Sequence, residues 1–177
     1  DVCSSDLAPG YGIGICDLDG DRRLDLVLAQ NSYSPEPETG RLDGGLGLVL
    51  RSRGDCTMEP IGALESGLVL RADQKALSVT PLADARRMGL WIATNNGPVH
   101  AYASVGAASD EDGVILVQLR GIQGNPTAVG ARITLHRPDG SKQVREVHAG
   151  EGYLTQNPAT VRLDGVTPNC RIDVAWP

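Results

Sequence analysis

The sequence predicts an all-β protein, and three observations carry that expectation. Apolar residues recur at every second position over short stretches, which is the period of a half-buried strand. Turn formers separate these stretches: the 177 residues include 22 glycines and 11 prolines, a density that cuts a chain into short strands. No stretch sustains an amphipathic helical period. Phenylalanine is absent and aromatics make up 3% of the chain, so the core must rest on Leu, Val, Ile and Ala.

Residues 12–15 (Gly-Ile-Gly-Ile) and 24–28 (Leu-Asp-Leu-Val-Leu) read as two strands joined by an acidic loop. Residues 34–40 (Ser-Pro-Glu-Pro-Glu-Thr-Gly) form a connector that Pro and Gly hold out of a sheet, on a surface where it can meet a partner. Leu46, Leu48 and Leu50 alternate as the next strand. Residues 76–81 and 90–95 form a second strand pair, followed by the turn signal Asn95-Asn96-Gly97-Pro98. Residues 109–113 (Ser-Asp-Glu-Asp-Gly) have no apolar period and read as a linker, not as an acid/base pair. Beyond them, 114–119 is a β run, and 131–136 and 143–147 flank Pro138-Asp139-Gly140 as a hairpin. A strand at 172–177 closes the chain. The expected organisation is a region at 8–104, a linker at 105–112 and a small antiparallel β domain at 113–177 that needs its neighbour for stability.

The strongest chemical signature is residues 17–25, Asp-Leu-Asp-Gly-Asp-Arg-Arg-Leu-Asp. Asp17, Asp19, Asp21 and Asp25 stand at positions 1, 3, 5 and 9 of this loop. A hard divalent cation takes about six to eight oxygens at about 2.3–2.6 Å, and acids at alternate positions of a tight loop can turn inward to supply them. The backbone carbonyl of Arg23, at position 7, would add one more. An EF-hand needs a glutamate at position 12 and flanking helices; here that position is Leu28 and the flanks are strands. The expected site is therefore a strand–loop–strand calcium site. A solvated acidic turn without metal is the other reading of the same residues.

Residues 76–95 repeat this unit without a gap at an offset of 81 − 17 = 64. Leu82 falls on Leu18, Arg86 and Arg87 on Arg22 and Arg23, Leu90 on Leu26, and Asn95 on Asn31. The acids become Pro81, Ala83, Ala85 and Gly89, so the apolar frame persists while the ligands vanish. One metal at most is expected. A period of this size suits a β-propeller blade, and two units are too few to close a ring.

The acid-rich loop between two strands resembles the FG-GAP/VCBS repeat of integrin-type β-propellers. That family usually has Gly at position 6, where this chain has Arg22. A non-glycine residue at positive φ costs about 1–2 kcal/mol, comparable to what calcium near its dissociation constant contributes. A second resemblance lies further on. Leu119-Arg120-Gly121, Asn125, Val129-Gly130-Ala131-Arg132-Ile133, Gly150-Glu151-Gly152-Tyr153-Leu154-Thr155-Gln156 and Val174-Ala175-Trp176-Pro177 are similar to the ASPIC/UnbV domain. The two resemblances imply a partial propeller of FG-GAP/VCBS blades followed by a small β domain, with further blades upstream and a clipped C-terminus. They also imply an exported protein, extracellular or at the cell surface. Arg120, Arg132 and Tyr153 are the residues to watch in the second domain, as a ligand surface or as ordinary ion-paired and packing positions.

A net charge of −6 and a pI near 5.0 argue against electrostatic binding of nucleic acid or anionic membranes, and no apolar run is long enough to span a bilayer. Residues 1–7 look like a translated sequencing adapter. Without Cys3, the remaining Cys16, Cys56 and Cys170 have no zinc-like spacing and read as small buried hydrophobes, with one disulfide left open. No catalytic constellation stands out: there is no G-x-S-x-G, His100, His136 and His148 lack metalloprotease spacing, and Gly10-x-Gly12-x-Gly14 misses the dinucleotide fingerprint. The expected function is a non-catalytic, calcium-stabilised binding or adhesion module that presents propeller loops to a protein or glycan. The alternatives are an accessory region of a secreted polysaccharide- or metabolite-processing enzyme, and a purely structural cap on an exposed sheet edge.

Overall fold

A computed structural model describes residues 8–105 and 113–177. Residues 1–7 and the acidic stretch 109–112 lie outside the described residues. The strands are β1 (Gly10–Cys16), β2 (Asp25–Gln30), β3 (Leu48–Ser52), β4 (Met58–Ile61), β5 (Gln74–Pro81), β6 (Met88–Thr94), β7 (Val99–Ala103), β8 (Gly113–Val117), β9 (Arg132–His136), β10 (Lys142–Glu146), β11 (Val161–Val166) and β12 (Arg171–Ala175). One short helix, α1 (Ala63–Ser66), follows β4 and ends at Gly67 in the left-handed conformation. The protein is all-β, with every strand pair antiparallel.

Among the described residues the strands form four sheets: β1-β2-β3-β4, β5-β6-β7, β10-β9-β12 and β8-β11. The first two are meanders in sequence order, and among the described residues they do not close a ring. Their registers repeat at the offset of 64. Cys16 pairs with Asp25 as Thr80 pairs with Gly89, and Ile15 with Leu26 as Val79 with Leu90. Both hairpins carry an irregularity at the same place, between Gly10 and Ile13 and between Gln74 and Ala76. The closing bond is shared too: Asn31 N–H donates to Pro9 O (3.0 Å) and Asn95 N–H to Asp73 O (2.8 Å).

The two meanders stack face to face. Cys16, Val27 and Ala29 of the first meet Leu77, Val79, Leu90 and Ile92 of the second in one buried cluster. Gly12 and Gly14 set the spacing. A Cβ on Gly12 would lie 2.6 Å from Leu77 N and 2.9 Å from Lys75 O, and backbone atoms cannot swing aside. Gly12→Ala is therefore expected to lower stability by about 1–3 kcal/mol, the cost of overpacking a fitted core. Denaturant unfolding checks this, and an unchanged midpoint would show that the sheets are free to separate.

The C-terminal strands form a second cluster, with Ile133, Leu135, Val147 and Leu163 at its centre. Its hairpin turns where the sequence places it: Gly140 N–H donates to Arg137 O (3.0 Å) with Gly140 at φ 86°. Among the described cysteines, Cys16, Cys56 and Cys170 are all free. Cys16 is buried as expected, whereas Cys56 is exposed in the β3–β4 turn, contrary to the reading as a buried hydrophobe. That turn is polar and tight, with Cys56 itself at φ 65°, and leaves no core for a side chain to enter.

Candidate metal centre and the surface that holds it

The β1–β2 loop folds around its own carboxylates. Asp17 stands at the end of β1 and is almost fully buried. Its Oδ1 accepts Gly20 N–H (2.7 Å) and its Oδ2 accepts Arg22 N–H (2.9 Å). Asp19 Oδ1 accepts Asp21 N–H (3.2 Å), and Asp21 Oδ1 accepts Arg23 N–H (2.8 Å). These bonds wind the chain so that carboxylate oxygens of Asp17, Asp19 and Asp21 lie within 4.8 Å of one another. The arrangement is an aspartate cluster that could bind a metal. Each ionised carboxylate has about four lone-pair sites, so one N–H per oxygen leaves acceptor capacity for a cation.

Arg22 stands at φ 70° and Gly20 at φ 85°. The left-handed turn at position 6 is thus present without glycine. A contact across the molecule accompanies it. The Arg22 side chain runs over Gly165 of β11, where a Cβ on that glycine would sit 3.0 Å from Arg22 Cδ.

Asp25 stands apart from the trio. It is 2% exposed, its Oδ2 accepts Leu18 N–H (3.0 Å) and its Oδ1 accepts Ser52 N–H (2.9 Å). It fastens the loop to β3. Arg23, whose backbone carbonyl is the expected fifth ligand, places its guanidinium on the Asp21 carboxylate. Arg51 of β3 pairs with Asp19 (Nε–Oδ2 3.2 Å), which offsets part of the cluster's negative charge.

Burial controls the electrostatics. It pushes the Asp17 and Asp25 carboxyls above the ordinary carboxylate range, although the backbone N–H bonds pull the other way. Burial, reinforced by the Asp25 and Asp17 charges, pushes the Cys16 thiol up to about 12, so in the metal-free protein it is protonated at neutral pH.

The loop abuts the C-terminal unit. A polar cavity of about 120 Å³ lies between them, lined by Cys16, Asp17, Arg145, Asn157 and Arg162 among others. Asn157 spans the boundary: its Oδ1 accepts Ser78 Oγ–H (2.8 Å) and Val79 N–H (2.9 Å) from β5. Tyr153 packs edge-on against Tyr11 of β1, with ring centroids 5.2 Å apart, so it is a packing position between the units. Arg120 and Arg132 are exposed, and among the described residues neither forms an ion pair. His136 is half-buried, with Nε2 2.9 Å from Asp173 Oδ2 on the neighbouring strand, and His148 is exposed. No spacing rule marks Asn157, whose bonds to Ser78 and Val79 are distant in sequence, or Arg145 and Arg162, which come near Asp17 only by lining the same cavity.

Residues 121–177 match the family model described as ASPIC and UnbV. No curated protein matches the chain. The matched segment runs from the turn before β9 to the end of β12, and it supports the reading of the C-terminal unit as a domain similar to that family.

Proposed function

We propose that this chain is a calcium-stabilised, non-catalytic binding or adhesion module of an exported protein. In this reading the two meanders are FG-GAP/VCBS-type propeller blades, and their loops meet a protein or glycan partner outside the cell. The observation that carries it is the convergence of Asp17, Asp19 and Asp21 on one strand–loop–strand turn. A bound calcium would offset their mutual repulsion and fasten the loop that also touches the C-terminal unit. Its contribution is stability and shape.

Calcium at about ten to a hundred times its dissociation constant adds about 1.4–2.7 kcal/mol. For a chain of this size that raises the melting temperature by roughly 3–11 °C. Asp19→Ala is expected to remove the response, and identical melts with calcium and with chelator in the wild-type protein would reject the site. The response depends on pH. The raised folded-state values of Asp17 and Asp25 mean that the folded chain binds these protons more tightly than the unfolded one. Without metal, this contribution favours folding as pH falls from neutral through the folded values toward the unfolded value of about 3.9, and it is lost as pH rises again. Calcium takes the ionised form, so its stabilising shift should be larger at neutral than at mildly acidic pH. An equal shift at both would exclude Asp17 from the ligand set.

A second reading has its own observation. The Asn157 bonds to β5 and the Tyr153–Tyr11 contact lay the C-terminal unit along β1 and β5, the edge strands of the two meanders. Capping those edges is compatible with a binding role for the remaining loops.

A further inference from the structure

Another cavity, of about 410 Å³, lies at the end of the two meanders opposite the aspartate loop. Both meanders build it. Tyr33 and Ser34 come from the segment after β2, residues 70–73 from the segment before β5, and residues 94–98 with His100 from the β6–β7 turn and the start of β7. Its size falls in the range of about 300–1,000 Å³ usual for small-molecule sites, but such sites are mostly apolar and this lining is rich in polar side chains. That composition suits a hydroxylated ligand.

The buried wall is fixed by its own bonds. Asp73 is 3% exposed, its Oδ2 accepts Asn95 Nδ2–H (3.1 Å), and its Oδ1 lies 2.7 Å from Lys75 Nζ. Lys75 Nζ also donates to Asn31 O (3.0 Å) and sits 3.5 Å from the centre of the Tyr11 ring. Lys75 therefore balances the Asp73 charge. The rim differs. Among the described residues, the side chains of Ser34, Arg71, Asn96 and His100 form no hydrogen bond or ion pair. Arg71 is thus a cation that no acid of the lining offsets, in a chain of net charge −6. A guanidinium fork fits a carboxylate through two parallel bonds. The hydroxyl, amide and imidazole beside it both donate and accept, as sugar hydroxyls require.

We propose that this cavity binds a carboxylated sugar residue of a glycan, with the carboxylate on Arg71 and the hydroxyls bonded by Ser34, Asn96 and His100. The proposal rests on the binding role inferred above, narrows its partner to an acidic glycan, and requires no metal.

The test is calorimetric titration of the whole chain, in chelator, with linear tetragalacturonate as the probe. The wild-type protein is expected to bind it, and to bind the fully methyl-esterified tetramer about tenfold more weakly or worse, because the ester lacks the charge that Arg71 meets. Free galacturonate should bind more weakly than the tetramer; equal affinities would assign the cavity to a soluble sugar acid and overturn the glycan assignment. Arg71→Gln should weaken the acid by about tenfold or more and leave the ester unchanged. Arg71 is exposed, so circular dichroism melts of this variant should match the wild type. Lys142→Gln removes one charge from an exposed position on β10, outside the cavity, and should keep the wild-type affinity. A readout on the wild-type protein needs no variant to fold: of the three histidine ring signals in a nuclear magnetic resonance titration, that of His100 should move and those of His136 and His148 should stay. Absence of binding, equal affinity for acid and ester, equal weakening by Lys142→Gln, or movement of the other two histidines instead overturns the proposal. Calcium melts report separately: a protein that binds the tetramer without a calcium response loses the metal and keeps this site, and one with a calcium response that ignores the tetramer does the reverse.

Discussion

Asp164→Ala is expected to destabilise the protein by about 3–5 kcal/mol, the cost of leaving a buried charge without its counterion. Asp164 lies on β11 and is 3% exposed, and Arg162 on the same strand is 8% exposed. Their side chains meet at 2.7 Å, yet off the hydrogen-bonding line, so Arg162 Nη2 and Nε and Asp164 Oδ1 have no directional partner. The Gln143 amide steadies the carboxylate by donating to Oδ2 at 3.2 Å, and Gln143 Oε1 accepts Asp164 N–H at 3.0 Å. Removing the carboxylate strands a guanidinium beside the two core clusters and leaves the Gln143 amide without an acceptor. For a chain of this size the melting temperature should fall by roughly 6–20 °C. The double variant Arg162→Met/Asp164→Leu should recover most of that loss, because an apolar pair of similar volume avoids desolvating two ions. Thermal and denaturant melts of the three proteins decide it. A single variant within experimental error of wild type would mean that water already solvates the arginine.

That pair also explains the one core strand hidden from sequence reading. Residues 161–166 read Val-Arg-Leu-Asp-Gly-Val, and the alternation looks like a strand with one wet face. In the fold both faces are covered, and Arg162 and Asp164 are buried against each other. Apolar periodicity cannot show burial achieved by charge pairing. Where the core is purely aliphatic the pattern suffices: the repeat at 64 residues is legible from apolar positions alone, and strand registers and the placement of bulges follow it. The short strands β4 and β7 are harder to read, since β4 carries Pro60 and an exposed Met58 and gains its place by pairing with β3.

The candidate site is legible to a similar degree. Alternate acids imply a loop wound around carboxylates, whereas the positive φ at Arg22 is not legible from the residue itself, because a residue other than glycine disfavours that conformation. Spacing does not reveal that Asp25 has a separate structural duty, or that Arg51 approaches from β3. Both depend on how a third strand pairs with the second.

The distinction between binding and bracing can be measured. Asp25→Ala should lower stability by roughly 2–5 kcal/mol whether calcium is present or chelated, because Leu18 N–H and Ser52 N–H each lose a buried acceptor worth about 1–3 kcal/mol. Asp25→Asn should fall between the two, since an amide keeps one acceptor and turns a donor toward the other N–H. Asp19→Ala removes a half-exposed carboxylate whose pairing with Arg51 contributes about 0–1 kcal/mol, so in chelator it should melt close to wild type and differ only when calcium is added. A melt of Asp25→Ala in chelator that matches wild type would show that the two N–H groups find water, and that Asp25 is held for the metal alone. A large loss in chelator from Asp19→Ala would assign the bracing to the exposed acid instead. The two carboxylates differ by six positions in one loop, and burial separates their roles: the buried one must satisfy the backbone before it can serve a cation, while the exposed one gives up only solvent-screened contacts with Arg51 and Asp21 N–H.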